Sequence, residues 1–346
     1  MDNIFVKNLL EYKEKCDALI EGGGLKNFLS SFGLDDVMGN YIDALLRHSI
    51  GGKRIRAYLA SLGYGIFKGL DKSDDALVPS LSYELFQTGI LAHDDIIDNS
   101  DYRRFKPSMH KDLGGGHDGV SKSICVGDFG IVAAIEILQN CHFSDDVKLK
   151  AISHQNKVFS ATIAGELKDI EFSYTDRVEE KDILDMYKLK TAQYTVSGPL
   201  VLGAVLASAK EEEIAALRAF GDAVGISFQI RDDILGMFGE EQNVGKSITS
   251  DMCEGKKTVL ISHFDRFADE DTKQKFYSVY GKEDSGENEL CVVREILKST
   301  GSLEYAEKLC KEYTEKALSV LDSLKLSSDS RQLLTGLLTY MTSRNN

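Results

Sequence analysis

The sequence predicts an all-α protein, read as one helical domain over residues 1–346, and three observations lead there. Apolar residues recur at three- and four-residue spacing along most of the chain. No stretch sustains the period-two alternation of a half-buried strand, so few or no strands are expected. Only Pro79, Pro107 and Pro199 interrupt 346 residues, which leaves long segments free to be helix.

Helical segments follow in chain order. "VKNLLEYKEKCDALI" (6–20), "VMGNYIDALLRHSI" (37–50), "LFQTGILAHDDIID" (85–98), "VKLKAISHQNKVFSATIAGELKDI" (147–170), "EEEIAALRAFGDAVGISFQI" (211–230) and "LEYAEKLCKEYTEKALSVLDSL" (303–324) all carry the pattern. Breaks are expected at 20–24, 49–53, 112–119, 239–257 and 281–289, where glycine and small polar residues gather. None of them is a long Pro- or Ser-rich linker.

An apolar content of 42% is that of a globular protein. A formal charge of −14 excludes nucleic acid as the general partner, because no basic stripe could neutralise a phosphate backbone. Any phosphate ligand must then be met by local cations or by metal. Cys16, Cys125, Cys141, Cys253, Cys291 and Cys310 form no C-x-x-C pair, which predicts free thiols in a reducing compartment. "GPLVLGAVLASA" is shorter than the roughly 20 residues a bilayer crossing needs, and the charged N-terminus lacks a signal-peptide core. The expectation is a cytoplasmic protein that is not integral to a membrane.

Asp94, Asp95 and Asp98 interrupt the apolar run of 85–98. Burial of an unpartnered carboxylate costs several kcal/mol or more, so cations must meet these acids. On a helix Asp94 and Asp98 share one face, and Asp95 lies about 100° round. Oxygen ligands at that spacing suit Mg²⁺, which typically takes one or two carboxylates, keeps waters and adds substrate phosphate. A second pair, Asp232 and Asp233 in "FQIRDDILG", echoes the first. If the two helices faced each other, both pairs could point into one cavity. The rival reading is a solvated acidic face, which the apolar flanks of both pairs argue against.

"GGKRIR" (51–56) and "DYRRFKP" (101–107) add Lys53, Arg54, Arg56, Arg103 and Arg104. Guanidinium groups match phosphate oxygens two at a time, and Lys acts as a point charge. Ion pairs with the neighbouring acids are the alternative use of these cations. "GEEQNVGKS" (239–247) nearly spells a phosphate-binding loop, but its glycine spacing is one residue too long and no strand precedes it.

Together "GGKRIR", "HDDIIDNSDYRRFKP", Lys190-Thr191 and "FQIRDDILGMFGEEQNVGKSITSDMCEGKKT" resemble, in order, the motifs of the trans-isoprenyl diphosphate synthases, the polyprenyl synthetase family. The resemblance covers residues 48–260 and implies an all-α bundle around a deep central cavity, usually a homodimer. It implies Mg²⁺-dependent joining of isopentenyl diphosphate to an allylic diphosphate, with three ions per site. By position, Asp94 and Asp98 match ligands of two ions with Asp95 in support, and Asp232 matches the ligand of a third, backed by Asp233 and Asp251. Lys53, Arg56, Gln87 and Arg104 match the isopentenyl diphosphate grip; Arg103, Lys190, Lys246 and Lys256 match the allylic diphosphate grip. Thr191 and Gln229 match polar groups beside the forming carbocation, and Asp169 matches an accessory acid. His93 is read as structural.

Two positions depart from the family pattern. Gly236 stands where a third acid of the second motif is usual, which predicts weaker supporting charge there. Phe105 stands where glycine usually follows the two arginines, which puts the loop geometry in question. For product length, Gly89 and Ile90 replace the aromatics that short-chain members commonly carry, and Phe86, roughly 12 Å down the helix from Asp94, is a candidate floor. A C20 product is expected, with C25 or longer as the alternative. A class I terpene cyclase and a non-catalytic regulatory subunit are the rivals; the first leaves Lys53, Arg56 and Arg104 unexplained, and the second would be expected to lose an acidic motif.

Overall fold

The computed structural model describes residues 3–239, 249–282 and 284–342. The chain divides into two compact units, Met1–Gln155 with Pro199–Lys210, and Asn156–Gly198 with Glu211–Asn346. Helices dominate both, and the only strands among the described residues are two of two residues each, as the missing alternation leads one to expect.

In the first unit α1 (Ile4–Glu21) starts where the Asn3 side chain accepts the Phe5 N–H, and it ends before a left-handed Gly23. Next come α2 (Gly24–Ser30), α3 (Asp35–Ser49), α4 (Ile55–Lys68) and a 3₁₀ turn over Leu70–Ala76. α5 (Leu77–Ile97) carries the first acidic motif on its last turn and is buried along most of its length. A left-handed Asn99 prevents it from continuing. Tyr102–Arg103 (β1) and Lys106–Pro107 (β2) then form a hairpin, pairing Tyr102 with Pro107 and Arg103 with Lys106. After α6 (Met109–Asp112), α7 (Gly116–Gln139) crosses α5 so closely that a Cβ on Gly89 would stand 2.6 Å from the Gly127 carbonyl oxygen.

α8 (Asp145–Ser173) runs on into the second unit, where α9 (Glu180–Met186) leads into a π-helix over Tyr187–Ser197. A π-helix is wider than an α-helix, and here its neighbours yield the space by having no side chain. A Cβ on Gly165 of α8 would meet the Lys190 backbone nitrogen at 2.4 Å. On α11 (Glu211–Phe238), a Cβ on Gly225 would meet the Ala192 Cα at 2.4 Å, and one on Gly221 the Ser197 Cα at 2.5 Å. These contacts clamp the segment that bears Lys190 and Thr191. α10 (Gly198–Leu206) follows the π-helix.

Past α11 the described helices are α12 (Ser250–Cys253), α13 (Val259–Phe267), α14 (Glu270–Tyr277), α15 (Glu287–Ser299), α16 (Ser302–Ser323) and α17 (Ser328–Thr342). Their core joins Ile230, Ile234 and Met237 of α11 to Val259, Phe264, Phe276, Leu290 and Leu297. No described helix is long and apolar enough to cross a membrane.

Backbone atoms cannot step aside for the methyl group of Gly225→Ala, so this substitution should destabilise the protein by about 1–3 kcal/mol, read as a lowered denaturant midpoint. An unchanged midpoint would show that the π segment is not held by this contact.

Candidate active site

The acids of the first motif sit at the worst end of their helix. Asp94 and Asp95 lie in the last turn of α5 and Asp98 closes it, its N–H donating to the Asp94 carbonyl at 2.9 Å. Carbonyl dipoles make a helix C-terminus negative, so carboxylates there repel both one another and the helix. Arg103 supplies one remedy, its Nε donating to Asp95 Oδ1 at 2.6 Å and its Nη2 to Asp94 Oδ2 at 2.8 Å. Asp95 is only 2% exposed, and burial, set against the pull of Arg103, lifts its pKa above the usual carboxylate value. Asp94 is half-buried and Asp98 exposed.

Arg103 and Arg104 are displayed by the β1–β2 hairpin, whose turn residues Arg104 and Phe105 have φ of +54° and +62°. Both central residues are left-handed, as in a type I′ turn, where glycine or asparagine is usual. Phe105 keeps the backbone conformation that glycine would adopt freely and turns its ring outward, 93% exposed. The question raised by its bulk is thereby answered, since the ring does not enter the turn. His93 is likewise structural, its Nε2 facing the Ile124 carbonyl oxygen at 3.2 Å and Asp128 Oδ1 at 3.4 Å on α7.

Of the remaining cations in this unit, Lys53 is exposed and Arg56 half-buried at the entry to α4. Gln87 is half-buried on α5. Arg104 approaches the Gly52 backbone, with both terminal nitrogens under 4 Å from where a Cβ would stand. Arg54 turns inward instead, to Asp17 and Glu84. Phe86 is fully buried on α5, whereas Gly89 is used by the α5–α7 crossing, where the α7 backbone fills the space of a side chain. Ile90 is half-buried.

In the second unit the second acidic pair lies in the last two turns of α11. Asp232 is half-buried, and Asp233, 3% exposed, has both oxygens engaged. Tyr187 donates its hydroxyl to Asp233 Oδ2, and Gln229 Nε2 donates to Oδ1 at 2.9 Å. Thr191 then donates to Gln229 Oε1 at 2.7 Å, linking the π-helix to α11. Burial pushes the Asp233 carboxyl up to about 7, against the opposing influence of Lys256 and these donors. Asp233 is thus buried with both oxygens bonded, beside a half-buried Asp232. The same difference in burial separates Asp95 from Asp94 and Asp98.

Lys190 donates to Asp169 Oδ2 at 2.6 Å and lies 2.8 Å from Glu166 Oε2. Burial disfavours its charge, but the two acids outweigh that and raise its pKa above the ordinary lysine value. Lys256 Nζ lies 3.9 Å from Asp251 Oδ1, and its pKa is raised by Asp251 and Asp233 in spite of burial. Asp251 Oδ2 sits 2.1 Å from where a Cβ on Gly236 would stand. α12 thus places the Asp251 carboxylate over the position where the third acid of the motif is absent. Lys246 and most of the loop before α12 lie outside the described residues.

Three participants escaped the sequence reading. Glu84 stood in an apolar run, Tyr187 looked like core, and Glu166 had its only signal in sharing "GELKD" with Asp169. Among the described residues no three His, Cys, Asp or Glu side chains already form a metal cage. The donor set nevertheless fits Mg²⁺, which takes few carboxylates and completes its shell with water and phosphate oxygens.

Each unit thus carries an acidic pair near a helix C-terminus with Arg or Lys close by. Residues 39–297 match the polyprenyl synthetase family model, and the chain belongs to that family, whose members are transferases. It is 33% identical over 303 residues to a short chain isoprenyl diphosphate synthase of Methanocaldococcus jannaschii, covering 84% of this chain and 88% of that one. It is 30% identical to a geranylfarnesyl diphosphate synthase of Aeropyrum pernix, covering 85% and 91%. The fold matches a geranylgeranyl pyrophosphate synthase of Corynebacterium glutamicum, solved with isoprenyl diphosphate and magnesium, over 100% of both chains at a TM-score of 0.85 and 28% identity.

Left-handed backbone costs a residue with a side chain about 1 kcal/mol or more, and nothing packs on the Phe105 ring to offset it. Phe105→Gly should raise stability by about 1 kcal/mol in chemical denaturation. A loss of stability would show that the ring has a partner.

Proposed function

We propose that this transferase condenses isopentenyl diphosphate with an allylic diphosphate (dimethylallyl, geranyl or farnesyl) to give a C20 polyprenyl diphosphate and free diphosphate. The observation that carries the reading is the shared arrangement of the two motifs, in each of which a buried acid, Asp95 or Asp233, is held by the protein beside a half-buried one, Asp94 or Asp232. Asp94, Asp98 and Asp232 would hold Mg²⁺, three ions in all, and the bound metal would supply charge that makes the allylic diphosphate a leaving group. Arg103, Lys190, Lys246 and Lys256 meet the negative charge that develops on the same diphosphate. Lys53, Arg56, Gln87 and Arg104 hold isopentenyl diphosphate, whose double bond attacks the allylic cation. Thr191 and Gln229 present oxygen atoms toward that cation. No His or Glu in a motif is placed as a base, so the departing diphosphate accepts the proton that leaves the new cation.

The C20 assignment rests on the absence of an aromatic at 89 and 90 and on a fully buried Phe86 as floor. The C25 alternative draws on the same lack of aromatics and on the geranylfarnesyl diphosphate synthase among the relatives. Free cysteines fit a cytoplasmic setting. A homodimer is the proposed assembly, and exposed Ile124 and Val132 on α7 are apolar surface it would cover.

Incubation of the chain with farnesyl diphosphate, isopentenyl diphosphate and Mg²⁺ should yield a C20 diphosphate, lost on adding a chelator. Asp94→Asn and Asp232→Asn should each lower kcat about 100-fold or more. Product found only as a cyclised hydrocarbon, or no condensation at all, would overturn the reading. Phe86→Ala should shift the products toward greater length by mass spectrometry, and an unshifted distribution would remove Phe86 as the floor.

A further inference from the structure

Arg54 occupies the middle of "GGKRIR", between two cations assigned to isopentenyl diphosphate, yet it faces the other way. Its side chain is 1% exposed. Nη1 donates to Glu84 Oε2 at 2.7 Å and Nε to Asp17 Oδ1 at 2.8 Å, so the guanidinium ties the loop to α5 and to α1 at once. Its backbone is left-handed, with φ of +59°, and its carbonyl accepts the Tyr58 N–H at 2.9 Å in the first turn of α4. That kink sets the directions in which Lys53 before it and Arg56 after it leave the chain.

Two neighbours extend the coupling. Arg54 Nη1 lies 3.3 Å from where a Gly52 Cβ would stand, and Arg104 Nη1 lies 3.6 Å from the same point, so both arginines close on the Gly52 backbone. Glu84 precedes Gln87 by three residues on α5 and so shares its side of the helix. Glu84 also acts electrostatically on Arg104, which is repelled by Arg54, Arg56 and Arg103. One buried carboxylate therefore counters a cluster of like charges.

We propose that Arg54 and Glu84 are a positioning pair that sets the isopentenyl diphosphate grip of Lys53, Arg56, Gln87 and Arg104 without touching the substrate. The inference rests on that assignment of the grip. A buried ion pair contributes little stability compared with apolar residues of the same volume, whereas its forked geometry fixes direction. Arg54 Nη2 and Glu84 Oε1 are both buried without a further hydrogen bond among the described residues, so the pair is not arranged for stability alone.

The test varies each substrate in turn for wild type, Arg54→Met, Arg54→Lys and Glu84→Gln, below the melting temperature measured for each. Arg54→Met and Glu84→Gln should raise KM for isopentenyl diphosphate about tenfold or more, with KM for the allylic diphosphate within about twofold, and Arg54→Lys should recover part of the loss. Equal changes in both KM values, or a fall in melting temperature with unaltered KM, would overturn the proposal. Should Arg54→Met fail to fold, Glu84→Gln, which keeps the volume, decides on the same split. Lys53→Ala and Arg56→Ala separate the two levels of the argument. If they raise KM for isopentenyl diphosphate and the Arg54 and Glu84 variants do not, positioning fails alone. If they leave it unchanged while wild type condenses both substrates, the grip assignment fails and the positioning pair falls with it.

Discussion

Negative charge at the C-terminal end of a helix is the constraint that each acidic motif has to meet. Asp94, Asp95 and Asp98 end α5, and Asp232 and Asp233 lie in the last two turns of α11, where the backbone dipole adds to their repulsion. Such ends are unstable unless cations cover them. Arg103 covers part of the first, and Lys256 acts on Asp233 at the second. On the proposed reading a hard divalent ion, itself drawn to phosphate, adds to this cover.

Each acidic pair resolves the cost of burial in the same way. Asp95 and Asp233 go into the protein and have their oxygens met by Arg103 or by Tyr187 and Gln229. Asp94 and Asp232 stay half-buried. A buried acid with satisfied lone pairs holds its neighbour on the helix in a fixed direction, which an exposed acid could not do. The apolar flanks that first made the acids look misplaced are thus the source of their order.

Much of this was legible in the sequence because it is written locally. Three-residue and four-residue periodicity located α1, α3, α8, α11 and α16, and the glycine breaks at 20–24 and 49–53 fell at the ends of α1 and α3, whereas α7 begins inside the break expected at 112–119. The acidic motifs and their arginines stand within a few residues of one another. Glu84, Tyr187 and the cradle of Gly165, Gly221 and Gly225 were not legible, because each acts on a residue far away in the chain. Arg54 meets Glu84 across 30 positions and Tyr187 meets Asp233 across 46. The π-helix was hidden for a related reason, since its width is imposed by what its neighbours lack. Asp251 lies over Gly236 from the next described helix, a placement that only the fold reveals.

Backbone strain is concentrated in the same place as charge. Among the described residues, non-glycine positions at positive φ are Arg54, Asn99, Arg104, Phe105 and Ser208, and all but the last flank the end of α5 or the loops that carry its cations. Strained positions persist only where surrounding contacts over-determine them. Arg54 has Asp17 and Glu84 for that purpose, whereas Arg104 and Phe105 have the two residue pairs of the hairpin and the Arg104 guanidinium donating to the Ile50 carbonyl at 3.4 Å. Arg103 is already fixed on Asp94 and Asp95, so it anchors the hairpin from one side, and a diphosphate on Arg104 would anchor it from the other. The strain and the substrate then act on one element, with binding energy offsetting a conformation that the bare turn sustains at a cost.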